Sequence, residues 1–140
     1  MTGEKVMVVD DNEDFLNEIQ ELLFLCGYDP KVVYDGAIAF KAACKIKPDV
    51  ILLDLKMKGI NGFQVAKELK QSVETAEIPI IAMSGYFPIE NHSLLLDMNN
   101  MNGRIKKPFD ISDLITEIET ALDKTSNYKQ NVDDKCYLKQ

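Results

Sequence analysis

Val6-Met7-Val8-Val9, followed at once by Asp10-Asp11, is the stretch on which the fold turns. A run this short and β-branched reads as a strand, and its unbroken apolarity implies burial on both faces, as in strands of a parallel sheet. After it, Phe15, Ile19, Leu22, Leu23 and Cys26 recur at the spacing of one helix face, with Gly27 as a stop. The same strand–helix unit then repeats along the chain. Lys31 to Tyr34 is a brief strand, and Gly36 to about Lys45 a helix carrying Phe40, Ala43 and Cys44. Val50-Ile51-Leu52-Leu53 is the most hydrophobic strand and ends on Asp54. The loop Lys58-Gly59-Ile60-Asn61-Gly62 leads into a helix through about Gln71 that buries Val65, Ala66 and Leu69. Ile78 to Met83 is the fourth strand, with Pro79 near its start, where a missing N–H is tolerated. A fourth helix over about Glu90 to Met98 has a weak period, and Gly103 to Lys106 is a last short strand. The closing helix places Ile111, Leu114, Ile115, Ile118 and Leu122 on one face, with Asp110 as its N-cap.

Five strand–helix units in alternation imply an α/β domain, a five-stranded parallel sheet with helices on both faces. The domain is expected over residues 1–124, with 125–140 a polar, aperiodic tail. Composition agrees with one globular domain: 140 residues, 46% apolar and 28% charged. No apolar run approaches the roughly 20 residues of a membrane helix, and a charged strand at the N-terminus does not read as a secretory signal. A cytoplasmic location and no membrane partner are therefore expected. A net charge of −7 argues against direct nucleic-acid binding, which relies on Lys and Arg. The three cysteines (Cys26, Cys44, Cys136) lack a CxxC pair, and Cys26 and Cys44, which fall within helical patterns, read as reduced, buried thiols. His92 is the single histidine, which argues against zinc chemistry.

In open α/β sheets the ligand site lies beyond the carboxyl ends of the strands, where strand order reverses. With order 2-1-3-4-5, that point lies between strands 1 and 3, and Asp10, Asp11 and Asp54 meet there. Like charges about 4 Å apart repel by on the order of 4 kcal/mol per pair at an effective dielectric near 20. A hard divalent cation relieves that repulsion, and Mg²⁺ takes few carboxylates plus waters and phosphate oxygens. Acids after strands also serve as plain helix caps, and Asp11 is a candidate for that role. Strand 4 ends on Ser84-Gly85 and strand 5 runs into Lys106-Lys107. A metal site, a carboxylate nucleophile, a hydroxyl and a fixed cation together equip the cleft for phosphoryl transfer, which needs positioning and charge neutralisation.

These pieces resemble the receiver domains of two-component response regulators, proteins of flavodoxin-like fold. The resemblance rests on Val8-Val9-Asp10-Asp11, Leu52 to Met57, Gly59-Ile60-Asn61-Gly62, Ala82-Met83-Ser84-Gly85 and Lys107-Pro108-Phe109, in order, and extends to about Lys124. It implies that Asp54 accepts a phosphoryl group from a histidine kinase or phosphotransfer protein. It further implies that Asp11 and Asp54 ligate Mg²⁺ directly, that Asp10 does so mainly through water, and that the Lys56 carbonyl is a further ligand. Ser84 and Lys107 would bind phosphoryl oxygens, and Lys107–Pro108 would be cis. The output surface would run from the fourth predicted helix to the last, a surface through which some relatives also dimerise, and an unidentified downstream protein would read it. The chain departs from the family pattern at Arg104, where an aromatic switch residue is usual, and at Lys58, where proline is common. Ser84 replaces the commoner threonine, a mild change.

Two other readings compete. A phosphohydrolase of the haloacid-dehalogenase type carries its nucleophile in an Asp-x-Asp pair after the first strand; here the nucleophile candidate follows strand 3 and position 56 is Lys. A degenerate receiver that only binds partners is suggested by Arg104 and Lys58 and opposed by the intact Asp10, Asp11, Asp54, Ser84 and Lys107. The residues after Asn127 show no helix-turn-helix pattern or basic cluster, so no effector module is expected within these residues, although the chain is also compatible with a piece of a longer regulator.

Overall fold

The computed structural model describes residues 3–85 and 101–123. Five strands, β1 (Lys5–Val9), β2 (Asp29–Val33), β3 (Val50–Asp54), β4 (Ile80–Ser84) and β5 (Gly103–Lys106), form one sheet in the order β2-β1-β3-β4-β5. Every neighbouring pair is parallel. The helices are α1 (Glu13–Leu25), α2 (Ala39–Ile46), α3 (Gly62–Gln71) and a last described helix over 111–123. The expected fourth helix, Glu90 to Met98, and the tail 125–140 lie outside the described residues, as do His92 and Cys136.

The strand pleat sorts the core into two halves, because successive side chains point to opposite faces. Val6, Val8, Val50, Leu52, Ile81 and Met83 pack with Leu16, Ile19 and Leu23 of α1 and with Leu114 and Ile118 of the last helix. Met7, Val9, Ile51, Leu53 and Ile80 face the other way, against Ala39 and Ala43 of α2 and Val65, Ala66 and Leu69 of α3. All of β1, β3 and β4 is apolar to its end except the site residues and the exposed Lys5. At about 1.5–3 kcal/mol for each fully buried large side chain, this double-sided burial is the main force holding the strands between helices.

Several boundaries differ from expectation for local reasons. Cys26 is exposed, not buried: α1 ends at Leu25, Cys26 is its C-cap, and Gly27 turns the chain at φ 93°. Leu16 takes a core position that the Phe15 register did not name, while Phe15 and Leu22 are only partly buried. Cys44 is half-buried, and α2 opens with a short 3₁₀ turn over Gly36–Ile38 capped by Asp35. Strand β2 starts earlier, at Asp29, and leaves Tyr34 exposed. Pro79 precedes β4 instead of lying inside it. Asp110 stands just before the last helix, its carbonyl accepting from Asp113 and Leu114.

Candidate functional site

The register of the sheet brings the acids together. Val9 pairs with Leu53, so Asp10, one residue beyond β1, comes level with Asp54 at the end of β3. Asp10, Asp11 and Asp54 each present a carboxylate oxygen within 4.8 Å of the others. Opposite ligands of an octahedral Mg²⁺ are about 4.2 Å apart, twice the usual metal–oxygen distance. The donor set is oxygen alone, which fits a hard cation. Asp11 is not a helix cap. That role belongs to Asn12, whose side-chain oxygen accepts from the Phe15 N–H at 3.0 Å. Asp11 is thereby left facing the cleft, where its Oδ2 accepts from the Lys58 N–H at 2.8 Å.

The three carboxylates sit in different surroundings. Asp10 is 1% exposed and is fully engaged: Oδ1 accepts from the Asn12 N–H at 2.9 Å, and Oδ2 pairs with the Lys107 ammonium. Asp54, also buried, receives one backbone donor, the Lys56 N–H, at 3.2 Å from Oδ1. Burial is the largest influence on it and the Asp10 charge the next; against the opposing pull of Lys107 and the Lys56 N–H, its pKa is pushed up to about 6. A carboxyl this reluctant to ionise marks a place where positive charge is under-supplied. A cation bound among these oxygens would restore the ionised form that a nucleophile requires.

The other strand ends close the cleft. Ser84 is the buried last residue of β4, pairing with Lys106, and its carbonyl accepts from the Lys107 N–H at 2.7 Å. The Lys107–Pro108 peptide is cis, as the family resemblance implied. The Lys107 ammonium lies 4.0 Å from the centroid of the Phe15 ring, and Phe15 meets Phe109 edge-to-face, with centroids 6.1 Å apart. On the far side, the chain leaves Asp54 through Leu55, whose N–H bonds the Met83 carbonyl, and returns at Gly62, whose N–H bonds the Leu55 carbonyl. A Cβ at Gly62 would stand 2.4 Å from the Asp54 carbonyl oxygen, so only glycine permits this approach. Asn61 caps α3 in a reciprocal box with Gln64 and anchors the returning loop.

All the expected site residues thus gather at one rim of the sheet. The aromatic pair beside Lys107 was missed as part of the site, because Phe15 fits a helix-core period and Phe109 follows a proline. Phe109 did stand in the Lys107-Pro108-Phe109 piece of the family resemblance, but nothing there pointed to Phe15. Arg104 on β5 is exposed, and no aromatic residue occupies that position.

The family model of the response regulator receiver domain matches residues 6–119. The chain belongs to this family. The polar-differentiation response regulator DivK of Brucella anthropi is 29% identical over 117 residues, covering 84% of this chain and 94% of DivK. RpaA of Synechocystis, a DNA-binding dual master transcriptional regulator, is 25% identical over 126 residues, which are 90% of this chain and 52% of RpaA. The chain therefore spans about half the length of that relative and of other curated regulators that it matches. The receiver domain of the sensor histidine kinase PA1611 from Pseudomonas aeruginosa superposes with a TM-score of 0.78 at 24% identity, covering 86% of this chain and 98% of that one. That structure holds a magnesium ion in its active-site cleft. Receiver domains of this family act as phosphoryl-accepting signalling modules and not as classical enzymes. No described helix is long and apolar enough to cross a membrane.

Proposed function

We propose that this receiver accepts a phosphoryl group on Asp54 from the phosphohistidine of a sensor kinase or phosphotransfer protein, and that the modified form changes its binding to a downstream protein. The observation that carries the reading is the convergence of Asp10, Asp11 and Asp54 within 4.8 Å in a cleft that also holds the Lys107 ammonium. In the transfer, a carboxylate oxygen of Asp54 bonds to phosphorus as the phosphorus–nitrogen bond of the donor breaks, and the leaving imidazole nitrogen takes up a proton. The Lys56 N–H holds the Asp54 carboxylate through Oδ1, and the close approach of Gly62 fixes the backbone at the Asp54 carbonyl. Lys107 stabilises charge on the phosphoryl oxygens, and Ser84, buried at the end of β4, donates its hydroxyl to one of them. Asp10, Asp11, Asp54 and the Lys56 carbonyl are the residues that would hold Mg²⁺, which when bound neutralises the carboxylates and the phosphoryl oxygens together. Hydrolysis of the acyl phosphate by water at the same site returns the protein to rest.

The new charge, roughly −1.5 to −2, biases the surface from the segment after β4 through β5 to the last helix. Arg104 lies on that surface, so the response at β5 proceeds without an aromatic rotation there. The same surface is the proposed contact for a homodimer. Residues 1–124 are proposed as the receiver unit and 125–140 as a tail outside it, with the cytoplasm as the compartment where the kinase is met.

Intact mass spectrometry after incubation with acetyl phosphate and Mg²⁺ tests the reading. One phosphoryl adduct, lost on adding EDTA before the donor and absent from Asp54→Asn, is the expected result. An unmodified protein under conditions where Mg²⁺ binding is measurable would instead favour a receiver that binds partners without being phosphorylated.

A further inference from the structure

We propose that Phe15, braced by Phe109, is a positioning residue for Lys107, holding the ammonium at the phosphoryl site before the donor arrives. This rests on the phosphoacceptor reading above and extends it to a residue outside the acid–hydroxyl–lysine set. Lysine is a poor fixed charge by itself: four rotatable bonds and a strongly hydrated head let it sample solvent. Here the head is held between two groups. Asp10 Oδ2 takes one side as an ion pair, and the face of the Phe15 ring takes another at 4.0 Å from its centroid. The ring face carries negative charge density, so it attracts the ammonium while keeping water off that side. Asp10 is 1% exposed and Lys107 has 22% of its side chain exposed, so the pair sits at the inner end of the cleft.

The ring is itself fixed. Phe15 projects from the first turn of α1, whose start is set by the Asn12 cap, and that cap bonds the Phe15 N–H. Phe109 meets it at an interplanar angle of 89°, the edge-to-face arrangement that aromatic pairs favour. A cavity of about 390 Å³ borders the pair, lined by Ile19, Leu22, Pro108 and Ile111 among others. Without the ring, the lysine head has open space beside it and water to occupy it. Asp10 alone then restrains it, and Asp10 belongs to the acid cluster whose charge a bound cation would partly neutralise. The ring is uncharged, so its hold on Lys107 survives that neutralisation. Phe15 therefore matters most in the loaded site, when Asp10 matters least.

The test uses Phe15→Leu, which keeps apolar volume and removes the ring face, and Phe15→Tyr, which keeps the face. With lysines labelled at Cε, the Lys107 Hε resonances of the wild type should lie upfield of the other lysines through the ring current, with and without Mg²⁺. Phe15→Leu should abolish that displacement and Phe15→Tyr should preserve it. Phosphorylation by acetyl phosphate at saturating Mg²⁺ should slow about threefold to tenfold in Phe15→Leu, the range expected of a single cation–π contact. Phe15→Tyr should stay within about twofold of wild type, and the Mg²⁺ dissociation constant should be unchanged in both, since neither touches the metal oxygens. A wild-type rate in Phe15→Leu, an equal slowing in both variants, or an undisplaced Lys107 resonance in the wild type would each overturn the inference while leaving the phosphoacceptor reading intact. A wild-type protein that forms no adduct at all overturns both.

Discussion

The two walls of the cleft each contain lysines near a carboxylate, and they use them in opposite ways. On the β5 side, Lys107 works through its side chain, which pairs with Asp10 and lies over Phe15. On the side after β3, Lys56 and Lys58 work through their backbones: the Lys56 N–H bonds Asp54 and the Lys58 N–H bonds Asp11, while both side chains are exposed. A backbone donor survives almost any substitution that keeps the chain path. A side-chain donor does not. The wall with the charged head at the chemistry should therefore be intolerant of mutation, and the wall built of amides should be tolerant except where the backbone path itself is constrained.

The largest effect should come from Lys107→Ala. Losing a fixed cation at a site where charge develops lowers the rate by about 10²–10³-fold, so acetyl phosphate labelling should nearly vanish while the fold persists. A drop of less than about tenfold would mean that the two walls are not so different. Gly62→Ala comes next, because it attacks the amide wall at its one rigid point. A Cβ placed 2.4 Å from the Asp54 carbonyl and 2.6 Å from the Leu55 Cα forces the loop away. A loss of about 1–3 kcal/mol in denaturant unfolding is expected, the usual cost of overpacking, together with slower labelling. A neutral result would show that the returning loop is free to shift.

Asp54→Asn separates the walls by charge. The folded-state pKa of Asp54 is raised to about 6 from an unfolded value of 3.8. The wild type is therefore unpenalised below about pH 4, loses stability as pH rises through 4 to 6, and carries the full penalty above that. The variant, neutral throughout, should melt higher than wild type in EDTA at pH 7, by an amount corresponding to about 1–3 kcal/mol, with the gap closing at pH 4. Saturating Mg²⁺ should narrow the gap by stabilising the wild type. A gap of the same size at pH 4 and pH 7 would remove charge as its cause. The smallest effects should be those of Lys58→Ala and Lys56→Ala: labelling within about twofold of wild type and stability within about 0.5 kcal/mol, as for other exposed positions. Lys56 follows Asp54 by two residues with an exposed side chain, so its variant is the place to look for a changed dephosphorylation rate. Lifetimes equal to wild type there would confine its role to the backbone.

Much of this was legible along the chain because the strands are buried on both faces. Val6 to Val9 and Val50 to Leu53 had no polar interruption until the acids, so both the parallel sheet and the position of Asp10 and Asp54 at its rim followed from one pattern. The α3 face of Val65, Ala66 and Leu69 and the bounds of β5 were equally plain. Helix ends were harder. The periodicity that put Cys26 inside did not register that a C-cap residue has already left the helix. Asp11 read as a credible cap for α1, and only the structure gave that role to Asn12, whose side-chain oxygen accepts from the Phe15 N–H. Phe15 passed for a core residue because a ring half-buried over an ammonium and a ring buried in hydrocarbon leave the same mark on a hydrophobic period.

By itself, the sequence determined the layered α/β architecture and the set of groups at its rim, because uninterrupted apolar strands can be satisfied only between helices and their first polar residues must surface at the strand ends. The family resemblance gave Asp10, Asp11 and Asp54 different roles, but the sequence could not rank their burial or ionisation, since they are chemically the same side chain. Only the tertiary structure did that. Asp10 is buried against Lys107, Asp11 is exposed beside the Lys58 N–H, and Asp54 is buried with a single backbone donor. Ionisation depends on desolvation and on neighbouring charge, and both are properties of position in space.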